Sequence, residues 1–279
     1  MSRLWIGRLQ LAGAYGFLGA LLIIVLFPFY WMTITSLKSE DQMRSLVSMF
    51  WPSPVVLDNF RQLLTRTDFV AWFGNSAIVA ISSTLLATAI GTLGAYALAR
   101  LRFLGRASMS SAVLITYLVP PSILFIPLYA QMRSLGLADS RAGLIAAYPS
   151  FTVPFVTWLL MGYFESIPVE LEESAMIDGA TRFGAFRRII LPLAAPGVLA
   201  AALFAFTQAW NEFLYALVFI TNVKLRTLPV GLSTFITGDV YGWGYLMAGA
   251  VLTTLPVIAA YIYLQKYMVE GLTAGGVKG

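Results

Sequence analysis

The sequence predicts an all-α fold, a polytopic membrane protein with six transmembrane helices, and three observations carry that expectation. Hydrophobic residues make up 59% of the 279-residue chain and charged residues only 11%, with a mean hydropathy of +0.79, too apolar for a soluble globule of this length. Charge-free runs at 9–37, 69–99, 107–132, 142–164, 189–211 (continuing past Glu212 to 223) and 240–265 each exceed the roughly 20 helical residues that cross a hydrocarbon core. None of them alternates with the two-residue period of a barrel strand. Backbone groups in lipid must be paired within their own segment, so these runs are expected as helices.

Within the runs the spans fall at about 11–35, 70–99, 107–132, 143–164, 196–222 and 243–266 of a single transmembrane domain, leaving a polar segment at 165–192 and a tail at 270–279. The first run follows Arg3 and Arg8, but it is too long for the apolar part of a signal peptide and lacks a small-residue cleavage site, so it reads as a retained helix. Six spans put both termini on one side. Arg100, Arg102 and Arg106 crowd two helix ends on that same side, which the positive-inside rule assigns to the cytoplasm.

The absence of Cys and His removes thiol chemistry, disulfides and the usual zinc ligands, and no catalytic pair stands out, so no enzyme is expected. The basic residues are scattered rather than gathered in a stripe, which speaks against nucleic acid. No G-x-x-x-x-G-K-[ST] phosphate loop is present; the nearest approach, Gly271 to Gly276, is followed by Val277 where Lys is needed. Small residues repeat every four positions at Ala87, Gly91, Ala95 and Ala99 and again at Gly197, Ala201, Ala205 and Ala209, the spacing of close helix seams. Pro28, Pro120, Pro121, Pro127, Pro154 and Pro256 interrupt the spans, each removing a backbone donor.

Segment 165–192 has helix punctuation. Ser166 and Pro168 precede Glu170, Glu172 and Glu173, acids at a positive helix end; Gly179 breaks this helix, and Thr181 caps a second that Pro192 ends. It reads either as a solvated hairpin or as a docking element for a soluble partner. In the fifth span Gln208, Asn211 and Glu212 fall at i, i+3 and i+4, on one helical face. They either line a translocation path or serve as interhelical hydrogen-bond glue. The stretches 38–68 and 221–239, the second containing Leu228, Pro229 and Gly231, are either contacts for an extracytoplasmic protein or plain connectors.

Glu173, Ala175, Gly179, Ile189, Leu191 and Pro192 stand at the spacing of the EAA loop of bacterial ABC importers, with Ser174 at the second position, where Ala is usual. Five further matches follow the same order as in the smaller maltose-type permease of the carbohydrate-uptake ABC family. They are Trp72 with Asn75-Ser76, Ala95-Tyr96-Ala97-Leu98-Ala99-Arg100 with the approach Ile167 to Glu173, Trp210-Asn211-Glu212-Phe213, and the tail Gly271 to Gly279. The chain resembles that family along nearly its whole length. The resemblance implies a type I ABC importer (MetI-like) architecture in the cytoplasmic membrane of a bacterium or archaeon, carrying a maltose-, maltodextrin- or trehalose-like sugar. It also implies a second homologous permease, two copies of a cytoplasmic ATPase that hold the ATP and magnesium, and an extracytoplasmic sugar-binding protein. No cofactor is expected on this chain. By the same resemblance Glu173, Ser174, Ala175, Asp178, Gly179 and Ala180 meet the ATPase, Gly275, Gly276 and Lys278 insert at its interface, and the loop with Leu228, Pro229 and Gly231 reaches the binding protein. The alternatives are a permease for another carbohydrate-like solute such as glycerol 3-phosphate, or an ion-coupled carrier. A carrier more often has several intramembrane charges, where only Glu212 lies well inside a span here.

Overall fold

Helices make up most of the described backbone. The computed structural model describes the backbone of residues 3–45, 49–237 and 240–276, and the side chains of 11–45, 49–236 and 242–267. In order the helices are α1 (Arg3–Ser36), α2 (Glu40–Arg44), α3 (Asp58–Arg66), α4 (Phe69–Arg100), α5 (Arg106–Leu118), α6 (Pro121–Ser134), α7 (Arg141–Ala147) and α8 (Pro149–Ser166). They continue as α9 (Glu170–Ile177), α10 (Arg182–Ala185), a π-helical turn (Phe186–Ile190), α11 (Leu191–Leu193), α12 (Ala195–Trp210), α13 (Leu214–Phe219), α14 (Leu228–Ser233) and α15 (Trp243–Gly276). Among the described residues the strands are β1 (Ile236–Thr237) and β2 (Val240–Tyr241), a two-residue antiparallel ladder with Ile236 opposite Tyr241.

Four stretches are long and apolar enough to cross a membrane unbroken: Leu11–Ser36, Phe69–Arg100, Arg141–Ser166 and Trp243–Tyr267. Two more do so only as bent pairs, α5 with α6 at 98° and Arg182–Leu193 with α12 at 76°. The expected third span, 107–132, is therefore bent within its length, whereas the 76° bend falls ahead of the expected fifth span, 196–222, which is interrupted instead where α12 ends at Trp210. At the first bend Val119 and Pro120 are extended (ψ 121° and 127°), as a residue ahead of proline prefers, and Pro121 starts α6 where its missing N–H is harmless. Through Gly276 the tail continues α15, an established helix propagating through glycine at about 1 kcal/mol per residue; Lys278 lies outside the described residues.

The chain divides into two compact units, Met1–Phe69 with Leu232–Leu255 and Val70–Gly231 with Pro256–Gly279. In the first, Asn59 donates to the carbonyls of Ser36 (2.9 Å) and Lys38 (2.7 Å), satisfying acceptors left open where α1 ends. Tyr245 donates to Gln62 (2.5 Å), and around these groups opens a cavity of about 780 Å³, also lined by Lys38, Asp58 and Trp243.

The second unit holds the main core. Ala95, Tyr96 and Ala99 of α4, Val156, Leu160 and Phe164 of α8, and Ala201 and Ala205 of α12 are buried together. Both small-residue seams lie in buried contacts. A β-carbon on Gly91 would stand 2.5 Å from Val156 Cγ1, and one on Gly197 would stand 2.6 Å from the Tyr163 ring, so α8 receives a glycine from each side. Gly94 differs, since its added carbon would meet Thr157 at an ordinary 3.6 Å. Gly91→Leu is therefore expected to destabilise the detergent-solubilised protein by at least about 1–3 kcal/mol through overpacking. Gly94→Ala should be neutral or stabilising by up to about 1 kcal/mol from helix propensity. Thermal unfolding monitored by size-exclusion fluorescence reads both.

Candidate functional site

The EAA segment is built from the end of α8 outward. Pro168 ends that helix, and α9 opens with its three glutamates in the first turn, where the helix dipole favours them. Its exit is a Schellman motif: Gly179 adopts φ +88°, its N–H donates to Met176 O (3.1 Å), and the Ala180 N–H donates to Ala175 O (3.0 Å). Thr181 then caps α10, its hydroxyl accepting from the Gly184 N–H at 3.1 Å. The glycine is required by its positive φ and not by crowding, because nothing lies within 4 Å of where its β-carbon would be.

Helical spacing sorts α9 into two faces. Glu172 and Ala175 point into the molecule and are buried, whereas Glu173, Ser174, Ile177 and Asp178 are exposed, as is Gly179, with Ala180 half-buried. Ala175 therefore packs on its own chain instead of presenting itself to a partner, a correction to the expectation from sequence. Ile177 is 86% exposed and Phe183 65% exposed, with Leu171 also uncovered, so this polar segment carries an apolar outer surface.

On the inner face Tyr96 donates its hydroxyl to Glu172 Oε1. Arg100 lies one turn further along α4, its Nε 3.9 Å from Glu172 Oε2, and its terminal nitrogen donates to Ile167 O (2.5 Å) at the end of α8. The Tyr96 ring packs on Phe186 (4.5 Å between centroids) and Phe164 (6.1 Å). Glu172 is the residue that sequence reasoning missed. The usable signal was that the Tyr96-to-Arg100 and Ile167-to-Glu173 motifs are two halves of one contact.

The proposed path residues separate. α12 ends at Trp210, so Asn211 and Glu212 do not continue the helical face of Gln208. Glu212 accepts from Tyr148 Oη (2.9 Å) and from the N–H groups of Tyr215 (2.8 Å) and Ala216 (3.0 Å), which makes it the cap of α13. Gln208 and Asn211 remain exposed. Asn211 turns its amide back to Thr207 O (2.9 Å).

The loop after α13 is stapled to α4 by the first motif. Trp72 Nε1 donates to Val223 O (3.2 Å), Asn75 Nδ2 to Lys224 O (2.8 Å) and Arg226 O (2.9 Å), and Ser76 Oγ accepts from the Leu228 N–H (2.8 Å). Asp139 Oδ1 accepts from the N–H groups of Thr221 (2.8 Å) and Asn222 (2.9 Å). Those amides hold its carboxyl below the usual range, so this contact weakens as pH falls through the lowered value. The expected contact set Leu228, Pro229 and Gly231 is corrected: Leu228 is fully buried, Pro229 is half-buried, and a β-carbon on Gly231 would collide with the Trp72 ring at 2.2 Å. Exposure moves to 221–224 because the tryptophan occupies the space beside the turn.

Broken apolar spans, glycine seams and a polar segment latched beneath them define a helical membrane permease. Residues 87–273 match the model of the binding-protein-dependent transport system inner membrane component. The sulfoquinovosyl glycerol transport system permease protein SmoH of Agrobacterium fabrum is 40% identical, covering 94% of this chain and 93% of its own. The trehalose/maltose transport system permease protein MalG of Thermococcus litoralis is 39% identical, covering 94% and 95%. In fold the chain is similar to a crystal structure of a bacterial ABC transporter involved in import of the acidic polysaccharide alginate (TM-score 0.80, 23% identity, 96% and 98% covered). The chain belongs to the family of binding-protein-dependent transport system inner membrane components, which move solutes instead of transforming them.

Asn75→Ala leaves two carbonyls of the stapled loop without their donor, worth about 1–3 kcal/mol for a buried group. Trypsin cleavage after Lys224 or Arg226 should then quicken, roughly tenfold for each 1.4 kcal/mol if cleavage follows local opening. Unchanged cleavage would show that the loop is held by other means.

Proposed function

We propose that this chain is one of two related permease subunits of an ATP-driven importer for a carbohydrate, and that the outer face of α9 and α10 receives a cytoplasmic ATPase subunit. The carrying observation is the uncovered apolar set Leu171, Ile177 and Phe183 on a segment whose opposite face is pinned by Glu172. A surface of this kind outside the membrane calls for a protein cover. Two copies of the ATPase, one on each permease, hold the ATP and magnesium, and this chain binds neither. Both termini lie in the cytoplasm on the charge argument from Arg100, Arg102 and Arg106. α15 runs to Gly276, and its end, with Gly275 and Gly276, is offered to the same ATPase.

The carbohydrate reading is supported by the named cargoes of the relatives, trehalose or maltose and sulfoquinovosyl glycerol. A binding protein captures the sugar outside and delivers it to the permease pair. Gln208 and Asn211 are the exposed polar groups offered to its hydroxyls, and 221–224 is the exposed edge offered to the binding protein. An uptake panel of disaccharides against glycerol 3-phosphate in proteoliposomes separates this reading from its alternative.

Ile177→Asp should cut the ATPase retained by the purified permease pair at least tenfold, since a desolvated carboxylate opposes an apolar contact by more than about 1.4 kcal/mol. Retention at the wild-type level would overturn the docking surface. Gly179→Leu should lower uptake by a different route, because a side chain at that φ costs about 1–2 kcal/mol and unwinds the exit of α9. Uptake at the wild-type rate would remove the exit geometry from the coupling element.

A further inference from the structure

The docking surface described above says where a force would be applied, but not how it would enter the membrane helices. Resting on that reading, we infer that Tyr96, Arg100 and Glu172 form a transmission joint, a set of positioning residues that ties the movement of α9 to α4 and to the end of α8.

The joint joins three elements through groups that are almost fully enclosed. The side chains of Arg100 and Glu172 are 8% and 5% exposed. Tyr96, on α4, holds one carboxylate oxygen of Glu172, on α9. Arg100, on α4, holds the backbone carbonyl of Ile167, where α8 turns into the coupling segment. Displacement of α9 therefore meets a hydrogen bond to α4, and displacement of the 167–169 turn meets a second one to the same helix. The Tyr96 ring, packed on Phe164 of α8 and Phe186 of the π-helical turn, makes the contact stiff from both sides.

The joint is also incompletely closed. Among the described residues, Glu172 Oε2 and Arg100 Nε have no hydrogen-bond partner, although they face each other at 3.9 Å. Buried polar atoms are nearly always paired, so an unpaired acceptor opposite an unpaired donor marks two groups that have a closer arrangement available. Shortening the gap by about 1 Å would bring them to ordinary hydrogen-bond distance. A partner bearing on the exposed Ile177 face of α9 is inferred to drive that closure. The joint as it stands thus has a shorter contact still to make, and on this inference docking makes it.

The test uses the complete importer, with both permeases, the ATPase and the binding protein, reconstituted in proteoliposomes. ATP hydrolysed and sugar accumulated are measured on the same sample, and folded complexes are selected by size exclusion so that losses in folding do not enter the ratio. Glu172→Gln keeps the shape but removes the charge that attracts Arg100. Tyr96→Phe removes a single hydroxyl and is the milder variant should Glu172→Gln fold poorly. Both are expected to retain the ATPase while raising ATP consumed per sugar at least fivefold, and Arg100→Lys, which keeps the charge without the fork, should fall between them and wild type. A role in packing alone would reduce the yield of complex and leave the ratio at its wild-type value; that result, in either Glu172→Gln or Tyr96→Phe, would overturn the joint. Loss of the ATPase from both variants would instead show that the residues serve docking, and would overturn the joint while leaving the docking surface standing.

Discussion

Every break in a membrane helix exposes backbone groups that lipid cannot hydrogen-bond, and the satisfaction of those groups by named side chains is the constraint on which this structure depends. Around the end of α1 the donor is Asn59; at the 211–213 break the acceptor is Glu212; along 221–228 the partners are Asp139, Trp72, Asn75 and Ser76. Below α8 the carbonyl of Ile167 is taken by Arg100. The side chains that bind these free backbone groups thus sit where the helices stop. Their positions fix where the chain can turn, and the turns bring the motifs together.

Much of the fold was legible because helix-scale physics is local. Charge-free length gave the spans, four-residue spacing of Ala and Gly gave both seams, and Gly179 and Thr181 marked the end of one short helix and the start of the next. The errors arose where a local pattern has two meanings. Leu228-Pro229-Val230-Gly231 looks like an exposed turn, yet its burial is decided by a tryptophan far earlier in the chain. Gln208, Asn211 and Glu212 share a face only if α12 continues, and Glu212 is itself the group that starts the next helix. Glu170, Glu172 and Glu173 are alike in sequence. Only the position of Tyr96, 76 residues from Glu172, selects which of them is buried.

That selection has an energetic consequence. A carboxylate in the interior is costly unless paired and hydrogen-bonded, and removing one partner of a buried pair typically costs about 3–5 kcal/mol. The seams contribute in the opposite way, by dispersion between closely approaching backbones that leaves no charge to satisfy. A packed seam resists separation through many weak contacts of no fixed direction, whereas a hydrogen bond holds its partners along one line.

The two kinds of contact therefore divide the work within the second unit. α8 packs on α4 through Gly91 and on α12 through Gly197, so these helices are held at close distance without directional bonds along most of their length. At the end next to the coupling segment the contact changes character, and Tyr96, Arg100 and Glu172 supply direction. Helices gripped directionally at one end and packed closely elsewhere are suited to move together when that end is displaced. The 76° break ahead of α12 and the capped break after it leave that helix free of rigid continuation at either end. On the inference drawn above, a push on α9 reaches α4 through that directional grip while the seams keep α4, α8 and α12 in close contact, which is the mechanical requirement for opening a path without unpacking the core.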